Sequence, residues 1–256
     1  MKRLIIQSDD LGISKAVSLG IAEGVKAGMV KCTGLFANMP YAKECYELIK
    51  DYVGLCVGID INIVCGKSVA PREKLSSMVD EKGDFFTSTK SRELDKGCPS
   101  GDHLIYEQCY MEAEAQINKF YELTGKYPEY LHGHSYSTPT LNKAVDSLSK
   151  KYHIPTTRFL MEHYNIAKPQ DWNKKPFPLH DQLMAKQLDT IVKSDFINNE
   201  TGRIIFHCGY VDAELFDLTT YTLIRTKDLQ TCLSAEFKKW IDDNKIEVIS
   251  YRELIK

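Results

Sequence analysis

Short apolar runs alternate with longer stretches of helical periodicity along most of this chain, and that alternation constrains its fold more than any other feature. Repeated switching between a period of two and a period of 3.6 is the pattern of βα units around a largely parallel sheet. The first unit shows it. Residues 3–7 (RLIIQ) form an apolar run, and an acidic turn follows at Ser8, Asp9, Asp10, Leu11 and Gly12. Residues 14–27 then carry apolar positions at Ala16, Val17, Ile21 and Val25. Ser14 is a natural N-cap for that helix, and Gly28 a natural stop. Strand-like runs follow at 30–37, 54–64, 129–132, 157–161, 203–207 and 247–250, which makes seven predicted strands. Helical patterns fall at 41–52, 104–124, 141–152, 181–196 and 227–243.

A chain of 256 residues has the length of one α/β barrel, and no glycine-rich phosphate loop follows the first strand to argue for an open nucleotide-binding sheet. The expectation is an α/β fold, a distorted or incomplete (β/α) TIM-like barrel spanning residues 1–256 as a single domain. Two stretches interrupt the alternation, at 66–103 and at 163–180, the latter with Pro169, Pro176 and Pro178. Loops of that length in a compact domain are lids or binding loops.

A formal charge of −2 provides no basic field for nucleic acid. No apolar run approaches the roughly 20 residues that span a bilayer, and the opening MKRLIIQSDD meets acid before a signal-peptide core can form. A cytoplasmic chain without nucleic-acid or membrane partners is expected. The eight cysteines, Cys32, Cys45, Cys56, Cys65, Cys98, Cys109, Cys208 and Cys232, contain no CxxC pair and read as small hydrophobes rather than as metal ligands or a disulfide framework.

Chemistry concentrates at the C-terminal ends of predicted strands, where barrel active sites are built. Asp9 and Asp10 are adjacent carboxylates that repel unless a cation, a proton or open solvent compensates; a solvated helix cap is the alternative. Asp60 and Asn62 share one face of the apolar run 58–63, where a buried acid needs a partner; an edge strand with a wet face is the alternative. His132 and His134 flank Gly133 directly after a strand, and imidazole is the commonest transition-metal ligand. His207 ends a later strand, while its neighbour Cys208 points the other way, which disfavours a Cys–His nucleophile. Carboxylates and imidazoles gathered at one rim have the make-up of a hydrolytic mononuclear metal site.

The order and context of these motifs resemble the YdjC-like carbohydrate deacetylases, the family that includes the chitooligosaccharide and diacetylchitobiose deacetylases. The resemblance runs from Ser8-Asp9-Asp10-Leu11-Gly12-Ile13-Ser14 through Ala37-Asn38-Met39-Pro40 and Gly58-Ile59-Asp60-Ile61-Asn62. It continues to Leu131-His132-Gly133-His134, His207 to Tyr210, Arg225, Leu229 and Tyr251-Arg252-Glu253-Leu254. It implies a hydrolase that removes an acetyl group from a small N-acetylated sugar with one divalent cation, and suggests a homodimer. Carried over by position, Asp9 is the general base and His207 the acid. Asp10, Asp60 and His134 are the metal ligands, and His132, Asn62, Arg225 and Tyr136 are supporting or substrate contacts. The family usually has His where this chain has Asp60, Asp where it has His132, and Pro where it has Cys208. The more anionic ligand set favours Mg²⁺ or Mn²⁺ over Zn²⁺. In the long loops, Phe85, Phe86 and Trp172, with Tyr136, are candidate faces for stacking on sugar. Two other readings stay open: a sugar-binding barrel whose metal site has decayed, and a glycosidase with a carboxylate pair.

Overall fold

The computed structural model describes residues 2–169 and 178–255. Its sheet is built from the parallel strands β1 (Lys2–Leu11), β2 (Cys32–Leu35), β3 (Cys56–Ile61), β4 (Leu131–Gly133), β5 (Thr201–Phe206) and β6 (Ile246–Ile249). They lie in the order β4-β3-β2-β1-β5, with β6 also paired to β1. β1 is long enough to hold three neighbours: residues 3–8 pair with β5, 2–5 with β6 and 7–11 with β2. Single-residue bridges from Leu131 to Thr156 and from Ala167 to Gly202 extend the two outer edges of the sheet. The result is an α/β fold with the curvature of an incomplete barrel.

Helices cover the outside: α1 (Lys15–Lys26), α2 (Ala42–Glu47), α3 (Ser88–Leu94), α4 (Tyr106–Thr124), α5 (Pro139–Tyr152), α6 (Thr157–His163), α7 (Leu179–Met184), α8 (Gln187–Val192), α9 (Ala213–Leu218), α10 (Ile224–Leu233) and α11 (Ala235–Asp243). Their punctuation follows the sequence. Ser14 Oγ accepts from Val17 N at the start of α1, Thr138 caps α5 with Pro139 at its first position, and Gly125 ends α4 in the left-handed region. None of the helices among the described residues is long and apolar enough to cross a membrane.

Strand alternation sorts the barrel interior into layers. Ile5, Cys32, Cys56, Tyr130 and Ile249 form an apolar floor that extends to Tyr251. Two residues further along each strand stand Gln7, Gly34 and Gly58, and two further again Asp9 and Asp60, with His132 two residues beyond Tyr130. The alternate positions Leu4, Ile6, Val57 and Ile59 belong to the larger core beneath the helices. The polar groups above the floor therefore lie toward the C-terminal strand ends, where Asp9 and His132 line the cavity described below and Gln7 and Asp60 are buried behind them.

Three expectations differ from what is observed. Residues 157–161, expected as a strand, lie in α6: Thr156 Oγ1 accepts from Phe159 N and starts a helix, and the sheet contact is made just upstream, where Leu131 N donates to Pro155 O. A short run of Thr and bulky apolar residues is ambiguous between strand and helix, and here the cap decides. The helix expected at 227–243 breaks at Ser234, which is extended and caps α11 through Phe237 N. The one expected at 181–196 breaks at Ala185 and Lys186 into α7 and α8.

Candidate active site

At the end of β1 the ladder to β2 skips. Ser8 pairs with Thr33, yet the next pair is Leu11 with Leu35, three steps against two. The extra residue is a bulge, and Asp10 takes a φ of 74° there, a conformation uncommon outside glycine that Asp and Asn tolerate better than most residues. Regular alternation would send Asp9 and Asp10 to opposite faces; the bulge leaves both lining one cavity.

Asp9 sits at the top of a buried relay. Arg203 Nη1 donates to Tyr251 Oη, Tyr251 Oη donates to Gln7 Oε1 at 2.6 Å, and Gln7 Nε2 donates to Asp9 Oδ1 at 2.5 Å. The other oxygen, Oδ2, lies 3.2 Å from His132 Nε2. Burial pushes the Asp9 carboxyl upward, but the charge and hydrogen bond of His132 outweigh it, and the pKa falls below the ordinary value. Asp10 has a different company. Its Oδ2 accepts from Arg225 Nη2 at 2.7 Å, and its Oδ1 lies 2.9 Å from His134 Nδ1. Against strong desolvation, the His134 imidazole and the Arg225 guanidinium hold the Asp10 carboxyl well below its usual range.

Asp60 reaches the same rim from β3. Its Oδ2 accepts from Asp10 N at 2.9 Å. The carboxylate leans across β2 over Gly34, where a Cβ would stand 1.8 Å from Oδ1, so any side chain at 34 would exclude it. Burial first, then the charges of Asp9 and Asp10, push the Asp60 carboxyl well above the ordinary value. Oδ1 is buried without a hydrogen-bond partner, and donor atoms of Asp9, Asp60 and His132 lie within 4.8 Å of one another. Two oxygens and an imidazole at that spacing, one of them unsatisfied, are donors that fit a divalent cation.

His207, from the end of β5, lines the cavity beside Asp9, Asp10, His132, His134, Tyr221 and Arg225, in a volume of ≈ 610 Å³. Burial lowers its pKa, and the charges of Asp10, Asp9 and Asp228 offset this only in part. Its backbone N donates to Asp228 Oδ2 at 2.8 Å, and its Nδ1 is 3.9 Å from the same oxygen. A groove of ≈ 630 Å³ lined by α5 and α6 residues such as Lys150, Arg158 and Phe159 contains none of these strand-end groups, so chemistry favours the first cavity over the larger one.

The other expected residues are placed as follows. Asn62 is a turn-maker below the rim: its Oδ1 accepts from Val64 N and Cys65 N, and its Nδ2 donates to Asn38 Oδ1 and Cys65 O. Tyr136 is buried and donates to the Asp95 carboxylate at 2.7 Å, as part of a strap in which Asp95 also holds His103 Nδ1 at 2.7 Å. Phe85 is buried, Phe86 lies under the Lys90 ammonium, and neither lines the cavity. Trp172 lies outside the described residues. Sequence reasoning missed Gln7, Gly34, Thr157, Asp228 and the strap. Asp228 had a signal: it stands three residues after Arg225, so the two share one helix face with apolar Leu229 and Cys232.

The chain and its fold have counterparts in known proteins. The chain is 28% identical over 271 residues to a carbohydrate deacetylase of Clostridium beijerinckii, covering 98% of this chain and 100% of that one. It is 29% identical over 257 residues to a carbohydrate deacetylase of Thermoanaerobacter pseudethanolicus, covering 98% of each. A solved structure from Enterococcus faecalis V583, provisionally described as a cellobiose-phosphate cleavage protein, superposes with a TM-score of 0.78 at 25% identity, over 99% of this chain and 98% of that one. A mutant CE4-family pseudoenzyme with restored activity superposes at 0.54 over 100% of this chain and 68% of that one; at 12% identity it shows the fold alone. The family model described as YdjC-like protein matches residues 3–243, and the chain belongs to that family, whose curated relatives here are carbohydrate deacetylases.

Proposed function

We propose that this protein is a metal-dependent hydrolase that removes the N-acetyl group from a small N-acetylated sugar or oligosaccharide in the cytoplasm. The observation that carries the reading is the rim itself: Asp9, Asp10, His132, His134 and His207 line one cavity, and Asp60 stands buried behind them against Asp9, Asp10 and His132. The names of the relatives supply the substrate class. The donors for the cation come from Asp9, Asp10, Asp60, His132 and His134, and their oxygen-rich character favours Mg²⁺ or Mn²⁺. When bound, such an ion polarises the acetamide carbonyl and lowers the pKa of water.

The chain's own groups handle the protons. Of the two carboxylate–imidazole pairs, Asp9 with His132 and Asp10 with His134, the one not engaged with the ion accepts the proton of the attacking water. His207, charged during the cycle with Asp228 behind it, donates to the leaving amine. Arg225 fixes Asp10, and the residues 88–93 of and near α3 wall the cavity against solvent.

The test is acetate release from N-acetylglucosamine oligomers, first with Mg²⁺ or Mn²⁺ and then after chelation. Acetate is expected with the ion, lost on its removal and recovered when it is returned. Cleavage to smaller sugars without acetate would replace this reading by the glycosidase. Sugar binding by a metal-free protein that never releases acetate would replace it by the binding barrel.

A further inference from the structure

The two carboxylate–imidazole pairs at the rim are not equivalent. Asp10 accepts from the guanidinium of Arg225, a fixed cation whose side chain is 1% exposed. A divalent ion placed on Asp10 would sit beside a positive charge that can neither neutralise nor retreat into water. Asp9 meets instead the neutral amide of Gln7 and the imidazole of His132.

Three further observations single out the Asp9 side. Donor atoms of Asp9, Asp60 and His132 converge within 4.8 Å. Asp60 Oδ1, fully buried and without a hydrogen-bond partner, leans over Gly34, where no side chain displaces it; Asp10 Oδ1 also lacks a hydrogen bond but has His134 Nδ1 2.9 Å away, and a dry, unpaired carboxylate oxygen carries a desolvation penalty that a cation removes. His132 is oriented from behind, its Nδ1 2.7 Å from Thr157 Oγ1. With Nδ1–H donated to that hydroxyl, the Nε2 lone pair faces the carboxylates, the arrangement in which an imidazole ligates.

We propose that a divalent cation is held by Asp9, Asp60 and His132, and that the Asp10–His134 pair stays outside its ligand set and takes the proton of the attacking water. The second half rests on the deacetylase reading. The water oxygen bonds to the acetamide carbon as His134, backed by Asp10, takes its proton. The C–N bond then breaks as His207 protonates the nitrogen, leaving acetate and a free amine.

Mn²⁺ binding to the purified chain, followed by the EPR signal of free Mn²⁺ and by calorimetry, needs no sugar. One ion is expected per chain. Asp9→Asn, Asp60→Asn and His132→Ala each weaken it by ~100-fold or more. Thr157→Val, which reaches the ion only through His132, weakens it by ~10–100-fold. Asp10→Asn and His134→Ala keep the affinity unchanged while acetate release falls by ~100-fold or more. Thermal melts accompany every variant; should Asp10→Asn fail to fold without its charge, His134→Ala carries the comparison. Lost Mn²⁺ binding in folded His134→Ala, or retained binding in folded Asp9→Asn or His132→Ala, overturns the assignment. A wild-type chain that shows this binding pattern and releases no acetate overturns the deacetylase reading and leaves the ion site standing.

Discussion

Arg225 shows how much of this site depends on individual charges. Its Nε donates to Tyr221 O and its Nη2 to Asp10 Oδ2, both at 2.7 Å, deep in the protein. Removing one partner of a buried ion pair strands the other, at a cost of ~3–5 kcal/mol. Arg225→Met should therefore lower unfolding stability by that amount in urea; a change under ~1 kcal/mol would mean that His134 alone suffices to compensate Asp10. At this scale the sequence was informative about identity and poor about pairing. Asp9, Asp10, Asp60, His132, His134 and His207 stood out because charged or imidazole groups interrupt apolar runs, and Arg225 only through the family resemblance; all but Asp60 line the cavity, and Asp60 is buried against them. Which carboxylate faces which imidazole was illegible, because that depends on a bulge that no residue in β1 announces.

Elements explain the remainder. Asp60 and His132, where the resemblance leads one to expect His and Asp respectively, are direct partners across β3 and β4. The exchange therefore keeps one carboxylate and one imidazole on the same rung. Strand starts and helix caps with Ser, Thr, Pro or Gly were readable; the break at Ser234 and the start of α6 at Thr156 were misread because the local cap overrode the apolar pattern on either side. One contact that no pattern reveals joins α1 to the loop after β5: a Cβ on Gly20 would stand 2.6 Å from the Gly209 backbone. Gly20→Ala should destabilise the fold by ~1–3 kcal/mol through overpacking and lower turnover by displacing His207, two residues from Gly209. Full stability with normal turnover would show that the loop can shift freely.

Across the whole molecule, distant parts of the chain are tied together around the barrel. The strap Asp95–His103–Tyr136 and the hydrogen bond from Arg92 Nη2 to Ser135 O pin the long 66–103 segment, expected as a lid or binding loop, over the His134 turn, and its residues Ser88, Thr89, Arg92 and Glu93 line the cavity. At the opposite end Arg252 donates to both oxygens of Glu129 and to Val53 O, joining the C-terminal turn to the approach to β4. Partial burial raises the Glu129 pKa, but the Arg252 and Val57 hydrogen bonds outweigh it and hold it below 4.5. A depressed carboxylate stabilises the fold above its unfolded pKa and ceases to do so as pH falls through the folded one. The stability lost in Glu129→Gln, ~1 kcal/mol at neutral pH for a pair this exposed, should therefore shrink on acidification below 4.5. A pH-independent difference, measured by urea unfolding, would place the effect in packing instead.

β1 is stitched to β2, β5 and β6 through residues 2–8 and again at Leu11, and it carries the acidic pair in the bulge between. Because that bulge is pinned between the Ser8–Thr33 and Leu11–Leu35 pairs, the mutual repulsion of its two carboxylates has little mechanical outlet. The tension persists in the resting protein as a standing demand for positive charge, met in part by Arg225 and the imidazoles. A cation bound at this rim would therefore find its carboxylates already gathered, and little of the chain would have to move to receive it.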